Sequence, residues 1–478
     1  MSIQRYWFAA VVFVPSACVS SAPRVIGTPS PIAAVAALDA RLPGLLDSAG
    51  IPGMAATILA HGVPVSHIVG GVRTAASGGG VTSNTVFEAA SLSKPLIGFM
   101  TLKLVDQGRL ALDQPLSSIL PLDGLDDSRS GSITARMVLS HRTGLQNERI
   151  GEDRLALAFD PGTSFRYSGE AYTYLGHVIE KITGQPLDVA ARNLVFDPFG
   201  MTRSSFVWEE RFADDAASGH GQFGELRSPS RPSVPRGAAT LHTTADDYAR
   251  FMSAVALGRG LSATSRAAVR TAASDVASGV QWTQGWALEL RGSDSALWHH
   301  GDNSRSGFTA FAWLDARTGS GIVYLANSTL GLSIVDEMLD AVRARPHPSA
   351  DWIKYERFDS PARLARMAIY SRAVKEGSAA ALSVYHELKA RGPEEAFGEG
   401  LLNALGYRFL DLNRPADATL LFEENVRAFP SSANVYDSLG DGLAAAGRHA
   451  EAVSAYRRSV ALDPRNTHAL EMIRKLER

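Results

Sequence analysis

The sequence contains little cysteine and little lysine. Its one cysteine is Cys18, and lysine supplies seven of its 47 basic residues. A single cysteine excludes a disulfide framework, a zinc site built from several cysteines and a dithiol redox site. The 47 basic and 49 acidic residues give a formal net charge of −2, and this balance argues against a nucleic-acid partner, which normally meets a basic face. The length of 478 residues, 45% of them hydrophobic, predicts a folded protein of about three domain-sized units, or one large domain with additions.

The first 22 residues have the pattern of a secretory signal peptide. Arg5 precedes an apolar run at residues 6–14, and small residues follow. The run is short for a membrane span, so a membrane anchor or a buried segment is the weaker alternative. We therefore expect export to the periplasm or cell envelope. Cys18 is a candidate lipidation site just after the run, whereas Pro15 departs from the usual lipobox, so membrane attachment through a lipidated Cys18 stays open.

Residues 32–345 predict one α+β domain. A helix is expected at 31–49, two strands follow it, further strands lie far downstream, and a helix at 333–345 follows the last of them. Strands at both ends of a mostly helical region indicate one antiparallel sheet with helices packed on it. The predicted strands span residues 54–60, 65–72, 285–290, 296–299, 309–314 and 321–326.

The remaining chain predicts a linker at 346–360 and an all-α domain at 361–478. Positions 34 residues apart match in residues 400–478, among them Gly406 with Gly440 and Phe422 with Tyr456. Small residues let two helices approach, and aromatic residues fill the space between them. This period is typical of tetratricopeptide repeats and predicts two of them, which either bind a partner peptide or brace the preceding domain. The helical stretch 361–391 is expected either to supply an atypical third pair or to dock the repeats on that domain.

The candidate nucleophile lies in an S-x-x-K tetrad, Ser91 to Lys94. The tetrad follows a strand-like segment, and Pro95 is suited to the first turn of a helix. Side chains three positions apart share one helix face, so the Lys94 amine would lie within reach of the Ser91 hydroxyl. Lysine must lose its charge to accept that proton, which requires burial or a neighbouring cation. A serine and a lysine exposed at a helix start are the structural alternative, but only Lys94 among the seven lysines has a serine three residues before it.

Two further segments offer candidate site residues. Tyr167 precedes a predicted helix that Ser168 would cap, and a tyrosine there could shuttle a proton beside a cation. His299 and Gly301 end an apolar strand, where a glycine lets the backbone approach a ligand. Adjacent histidines could bind a metal, but no H-E-x-x-H or comparable ligand pattern accompanies them. We therefore predict neither a metal site nor a cofactor.

In this order and spacing, S-x-x-K, the tyrosine motif and His-x-Gly resemble the class C β-lactamase-related serine hydrolases. This group includes β-lactamases, DD-peptidases, D-aminopeptidases and esterases. Residues 137–145, MVLSHRTGL, are similar to the family's LLSHTSGL turn, and residues 237–251 are similar to its segment ending TTAxDxARF. The resemblance covers residues 32–345 and implies a β-lactamase/transpeptidase-like fold.

The resemblance implies a role for each site residue. Ser91 would be the acylated nucleophile, and Lys94 and Tyr167 would handle protons. His299 and Gly301 would take the places of the lysine and glycine in the family's K-T-G strand. The backbone N–H groups of Ser91 and Asp302 would form the oxyanion hole.

Two positions depart from the family pattern. Gly169 stands where the family's Y-x-N motif has an asparagine that contacts a substrate amide. His299 replaces a lysine that helps to hold the carboxylate of a β-lactam. Both departures argue against efficient β-lactam turnover.

Two hypotheses about function follow from the sequence. The first is an exported serine hydrolase that cleaves ester or amide substrates through an acyl-enzyme on Ser91, with esterase, peptidase and β-lactamase activity unresolved. The second is a catalytically weak or inactive ligand-binding module of the cell envelope that acts through its repeats. We also predict that His141 closes a helix end and that the segment 227–236 overhangs the cleft and shapes specificity.

Overall fold

The structure is a computed structural model that describes residues 31–76, 78–149 and 154–477. The predicted signal peptide and Cys18 lie outside the described residues. Within those three ranges, no helix is both long enough and apolar enough to cross a bilayer.

Two antiparallel sheets organise the described part of residues 32–345. The large sheet has nine strands in the order β3-β2-β1-β11-β10-β9-β8-β7-β6, and β4 and β5 form a small second sheet. The N-terminal strand β1 pairs with the last strand, with Met54 opposite Ala326. The strands are β1 (Gly53–Ala60), β2 (Val63–Thr74), β3 (Gly78–Gly80), β4 (Phe87–Ala90), β5 (Leu241–Thr243), β6 (Ser274–Ala277), β7 (Val280–Trp282), β8 (Ala287–Arg291), β9 (Asp294–Asn303), β10 (Phe308–Asp315) and β11 (Ser320–Ala326).

Helices cover both faces of the large sheet. Alternate residues along β1 belong to different cores, with Ala55 and Leu59 on one face and Met54 and Ile58 on the other. The helices before the C-terminal part are α1 (Pro31–Ala49), α2 (Ser93–Asp106), α3 (Ala135–Leu139), α4 (Gly169–Thr183), α5 (Leu187–Ala191), α6 (Asp197–Phe199), α7 (Ala245–Ala256), α8 (Ala263–Arg270), α9 (Val335–Leu339) and α10 (Pro348–Ile353).

Helix α2 matters for the candidate site because it places Lys94, the residue expected to contact Ser91, in the protein core. Eleven of its residues are buried, including Ser93, Lys94 and Thr101 as well as its apolar side chains. A helix that is apolar on all sides is stable only when it is surrounded by protein. Helices α4 and α8 pack against α2.

The predicted fold class is confirmed. The described residues form an antiparallel sheet with helices packed on it, built from strands at both ends of residues 32–345. All six predicted strands are present with bounds that differ by a few residues. The predicted helix at 333–345 is shorter, because only Val335–Leu339 is α-helical after a 3₁₀ turn. The short strands β3, β5, β6 and β7 were not predicted from the sequence.

The C-terminal part is helical. Its helices are α11 (Pro361–Glu376), α12 (Ser378–Arg391), α13 (Glu399–Asp411), α14 (Pro415–Ala428), α15 (Ala433–Ala445), α16 (His449–Leu462) and α17 (Thr467–Leu476). The matched glycines lie against the matched aromatic rings: a Cβ at Gly406 would lie 2.3 Å from the Phe422 ring, and one at Gly440 would lie 2.5 Å from the Tyr456 ring. Both helix pairs therefore need glycine at the same place. The assignment as tetratricopeptide repeats stays a prediction.

Residues 346–360, predicted as a linker, are packed structure. They contain the short helix α10, and Ser349 is fully buried with its hydroxyl donating to the Glu289 carboxylate. The first helix of the C-terminal part also contacts the sheet domain. The buried Arg363 guanidinium donates to the Ala49 carbonyl, and the Tyr370 ring packs 4.5 Å from the ring of Phe223. These contacts join the helical part directly to the sheet domain.

Candidate active site

Ser91 lies on a tight turn between β4 and α2. The residue before it, Ala90, has a φ of 46°, in the left-handed region that non-glycine residues seldom adopt. Ser93 holds the turn, because its hydroxyl donates to the Ala90 carbonyl at 2.6 Å and accepts the Leu241 N–H at 3.2 Å. Such strain persists only where surrounding contacts fix it, and it is common at functional sites. The helix itself begins at Ser93, two residues later than the nucleophile.

Lys94 contacts Ser91 as the tetrad predicts. Its Nζ lies 2.8 Å from the Ser91 Oγ and donates to the Ala238 carbonyl at 2.9 Å. Burial lowers the pKa of Lys94 to about 7, the charge of Arg236 lowers it as well, and the charge of Glu148 opposes both. Near neutral pH a large fraction of this amine is uncharged. In that form its lone pair can accept the proton of the Ser91 hydroxyl.

Tyr167 lies on the other side of the lysine. The Lys94 Nζ is 4.9 Å from the centre of the Tyr167 ring. Burial raises the pKa of Tyr167, and the nearby Ser91 side chain acts in the opposite direction. Among the described residues the buried Tyr167 hydroxyl has no hydrogen-bond partner. Tyr167 therefore keeps its proton at neutral pH and is a donor rather than a base. The structure brings Ser91, Lys94 and Tyr167 together.

His141 supports the tyrosine, a role that the sequence analysis missed. Its backbone follows α3 with a φ of 57°, which agrees with a helix end. Its ring, however, packs 4.3 Å from the Tyr167 ring, and its Nδ1 accepts the Ser168 N–H at 3.0 Å. Burial and the charge of Lys94 lower its pKa well below the usual value. The neutral ring fixes the segment that carries Tyr167 without adding a charge.

His299 lies beside Tyr167, with their ring centres 6.1 Å apart. His299 is fully buried, and its Nδ1 lies 2.8 Å from the His300 carbonyl. Burial and the charge of Lys94 lower its pKa well below the usual value, so it is neutral. Gly301 is required by packing: a Cβ there would lie 2.3 Å from the Ala89 carbonyl. Its open side therefore faces the strand before the nucleophile rather than a ligand, whereas Asp302 lines the cleft as expected.

The cleft outside Ser91 is polar and open. Its volume is about 330 Å³. Arg149 and Arg236 both face the buried carboxylate of Glu170, at 2.9 and 3.7 Å. Ser230 and Arg236 lie on the segment predicted to overhang the cleft and do line it. The other lining residues are Glu88, Ala90, Ser91, Lys94, Asn147, Glu148, Gly169, Ala238, Ala239, Thr240, Asp302, Asn303, Ser304 and Arg305.

The cleft also contains Glu88 and Asn147, which the sequence analysis did not name. Glu88 is buried and accepts hydrogen bonds from the Asn303 amide and the Ser306 hydroxyl, both at 2.7 Å. Burial raises the pKa of this carboxyl, and these hydrogen bonds partly offset the effect. No spacing rule in the sequence connects Glu88 or Asn147 to Ser91, because both depend on how distant loops fold together.

Comparisons with known proteins agree with this geometry. The chain is 29% identical over 311 residues to penicillin-binding protein 4 of Amycolatopsis lactamdurans, covering 57% of this chain and 79% of the relative. It is 29% identical over 378 residues to the esterase EstB of Burkholderia gladioli, covering 65% of this chain and 96% of the relative.

Solved structures share the fold. The D-alanine carboxypeptidase AmpC of Burkholderia cenocepacia superimposes with a TM-score of 0.55 at 21% identity, covering 62% of this chain and 94% of that one. A penicillin-binding protein homologue of Pyrococcus abyssi gives a TM-score of 0.56 at 18% identity, covering 71% and 81%. The sequence model described as β-lactamase matches residues 38–345. Because this match covers more than half of the chain, the chain belongs to the β-lactamase family, whose members include serine hydrolases.

Proposed function

We propose that this protein hydrolyses ester or amide substrates through an acyl-enzyme on Ser91. The observation that carries the proposal is the 2.8 Å contact between the Ser91 hydroxyl and a buried lysine whose pKa is lowered to about 7. A serine becomes a nucleophile only when a base takes its proton. Here the base lies one helical turn away and is uncharged in a large fraction of molecules at neutral pH.

The acylation step uses both proton-handling residues. The Ser91 Oγ attacks the substrate carbonyl carbon while its proton moves to the Lys94 Nζ. The Tyr167 hydroxyl gives its proton to the leaving group as the bond to the carbonyl carbon breaks, and Lys94 returns a proton to the tyrosine. We assign the backbone N–H groups of Ser91 and Asp302 as the oxyanion hole that stabilises the tetrahedral intermediate.

Deacylation reverses the direction of proton transfer. A water molecule attacks the ester carbonyl of the acyl-enzyme, and its proton passes to the Lys94 and Tyr167 pair. The Ser91 Oγ leaves with a proton from the same pair. The sum of both steps is the consumption of one water molecule, with a carboxylic acid and an alcohol or amine as products.

We further propose that short-chain esters are cleaved faster than β-lactams. A β-lactam carries a carboxylate, and a cation at the His299 position would help to hold it. His299 is instead buried and neutral. An ester with an uncharged acyl chain does not need that cation.

The experiment uses the full-length protein. A fluorophosphonate probe followed by mass mapping is expected to give an adduct on Ser91 that is absent from Ser91→Ala. Turnover of p-nitrophenyl butyrate, nitrocefin and a D-Ala-D-Ala peptide is then measured side by side. No adduct on Ser91 in folded protein would overturn the nucleophile assignment, and faster cleavage of nitrocefin than of the ester would overturn the ranking.

A second candidate function rests on the sequence departure at Gly169. The protein would then be a ligand-binding module of the cell envelope, with the helical part as its interaction region. Ligand binding by Ser91→Ala, together with no turnover of any ester or amide by the parent protein, would favour this function. The intact Ser91, Lys94 and Tyr167 geometry favours the hydrolase.

The remaining parts of the proposal concern location and partner. We propose export to the periplasm or cell envelope through residues 1–22, with lipidation of Cys18 left as an alternative to release. We also propose that the repeats in 361–478 bind a protein partner. Fractionation of cells that express the full-length chain tests the location, and a shift in apparent mass on addition of envelope extract tests the partner.

A further inference from the structure

We propose that a second cavity, lined by segments within residues 332–336 and 350–357, binds a small zwitterion of the class of a free α-amino acid with an apolar side chain. The cavity lies where the sheet domain ends and the junction to the helical part begins, and its volume is about 220 Å³. It shares no lining residue with the cleft that contains Ser91. The inference therefore goes beyond the proposed hydrolase and does not depend on it.

The size of the cavity admits a small metabolite. A water molecule takes up about 30 Å³ in the liquid, so the cavity corresponds to about seven water molecules. Pockets that hold drug-sized ligands measure about 300–1,000 Å³. A folded peptide or a nucleotide cofactor is therefore too large, whereas one free amino acid can be accommodated.

Two opposite charges line the cavity without an ion-pair partner. Asp351, in the first turn of α10, and Lys354, at its C-cap, both contribute to the lining. Among the described residues, the ion pairs nearby use Asp336, Arg345 and Arg357 and leave these two side chains out. The remaining charged pair of the lining, Asp336 and Arg357, is already joined at 2.7 Å. A ligand with one ammonium and one carboxylate compensates both open charges, whereas a simple cation or anion compensates only one of them.

Lys354 occupies a backbone position that favours glycine. Its φ is 53°, in the left-handed region, where α10 ends. Glycine or asparagine adopts this conformation at lower cost than lysine. A lysine side chain is therefore kept here against a conformational cost, which agrees with a role for its ammonium group at the cavity.

The rest of the lining suits an apolar side chain and one further hydrogen bond. Leu332, Val335 and Ile353 supply apolar surface. Ser333 also lines the cavity and is 2% exposed, and its hydroxyl has no hydrogen-bond partner among the described residues. A buried hydroxyl without a partner is costly. The carboxylate of a bound amino acid offers it an acceptor.

Valine and two of its analogues test the inference by isothermal titration calorimetry on the full-length protein. Isobutylamine is valine without the carboxylate, and 3-methylbutanoate is valine without the ammonium group. All three compounds have the same branched apolar end. We expect one valine to bind per chain, and each analogue to bind about three- to tenfold more weakly, because each leaves Lys354 or Asp351 without a partner.

Two variants assign the charges. Asp351→Asn and Lys354→Gln are each expected to weaken valine binding about three- to tenfold. Asp351→Asn should not weaken binding of 3-methylbutanoate, which has no ammonium group, and Lys354→Gln should not weaken binding of isobutylamine, which has no carboxylate. The matched controls Asp39→Asn and Lys375→Gln remove exposed charges that do not line the cavity, and they should bind valine as the parent protein does. Circular dichroism and the melting temperature verify that each variant is folded.

Each outcome decides the inference. Tighter binding of valine than of both analogues, with weaker valine binding in both cavity variants, supports it. Equal affinities for the three compounds, or a valine affinity unchanged in Asp351→Asn and Lys354→Gln, overturns it. Neither heat nor a rise in melting temperature at up to about 10 mM valine also overturns it. None of these readouts uses ester turnover, so failure here leaves the proposed hydrolase intact.

Discussion

We expect kcat/KM for ester hydrolysis to fall about tenfold for each pH unit below a midpoint near 7, because protonation of Lys94 removes the base. The lysine is buried, and burial lowers its pKa to about 7 from the usual 10.5. At pH 7 about half of the molecules then carry a neutral amine, against about 0.03% for a lysine with the unshifted pKa. Burial thus enlarges the competent population by about 1,500-fold.

Two charge-removing variants should move this midpoint in opposite directions. Arg236 lowers the pKa of Lys94 and Glu148 raises it. Arg236→Gln should therefore move the acid limb to higher pH, and Glu148→Gln should move it to lower pH. Their side chains are 48% and 58% exposed, so solvent screening limits each displacement to about one pH unit or less. The displacements should shrink further in about 1 M salt.

The assay is the pH profile of kcat/KM for p-nitrophenyl butyrate from pH 5 to pH 9, since this quantity reports the free enzyme. Arg231→Gln is the matched control, because Arg231 lies on the same segment as Arg236 and is exposed, but it packs over the Trp208 ring and is not among the charges that shift the pKa of Lys94. Its midpoint should stay close to that of the parent protein. A flat profile down to pH 5, or displacements of the same sign in Arg236→Gln and Glu148→Gln, would refute Lys94 as the base.

Three other changes test the geometry. Tyr167→Phe removes the proton donor and should lower kcat by about 10²- to 10⁴-fold with a smaller change in KM, measured by steady-state kinetics; an equal loss confined to KM would contradict that role. Gly301→Ala places a Cβ 2.3 Å from the Ala89 carbonyl, so it should destabilise the fold by about 1–3 kcal/mol in urea unfolding, whereas unchanged stability would show that β9 can move away from β4. Arg363→Ala removes the buried hydrogen bond to Ala49 and should cost about 1.5–3 kcal/mol; a calorimetric unfolding trace identical to that of the parent would show that this contact contributes nothing.

Local spacing was enough to predict the centre of the site. Ser91 and Lys94 are three residues apart, and that separation alone places the amine beside the hydroxyl. The strands with alternating or continuous apolar patterns were likewise predictable, because a sheet buried on both faces requires them. Tyr167 was also a candidate from its place before a predicted helix, whereas its contact with Lys94 depends on a segment more than 70 residues away and could not be predicted from local spacing.

The rest depended on tertiary packing that no local pattern encodes. His299 has the sequence context of a ligand-binding residue, but the structure buries it completely beside Tyr167. His141 ends a helix as expected, and only the fold shows its ring beneath Tyr167. Asn147 could be identified as a cleft residue only from the folded structure, in which its loop lies against Gly169. The strands β6 and β7 are too short to show a periodic pattern of apolar residues.

The pairing of β1 with β11 determines when this domain can be completed during synthesis. Met54 finds its partner Ala326 only after the intervening residues have left the ribosome. Until then β1 has no β11 strand to pair with, and pairing between segments so far apart in sequence is slow to form. A nascent chain of this topology therefore cannot complete its sheet until residue 326 has been synthesised.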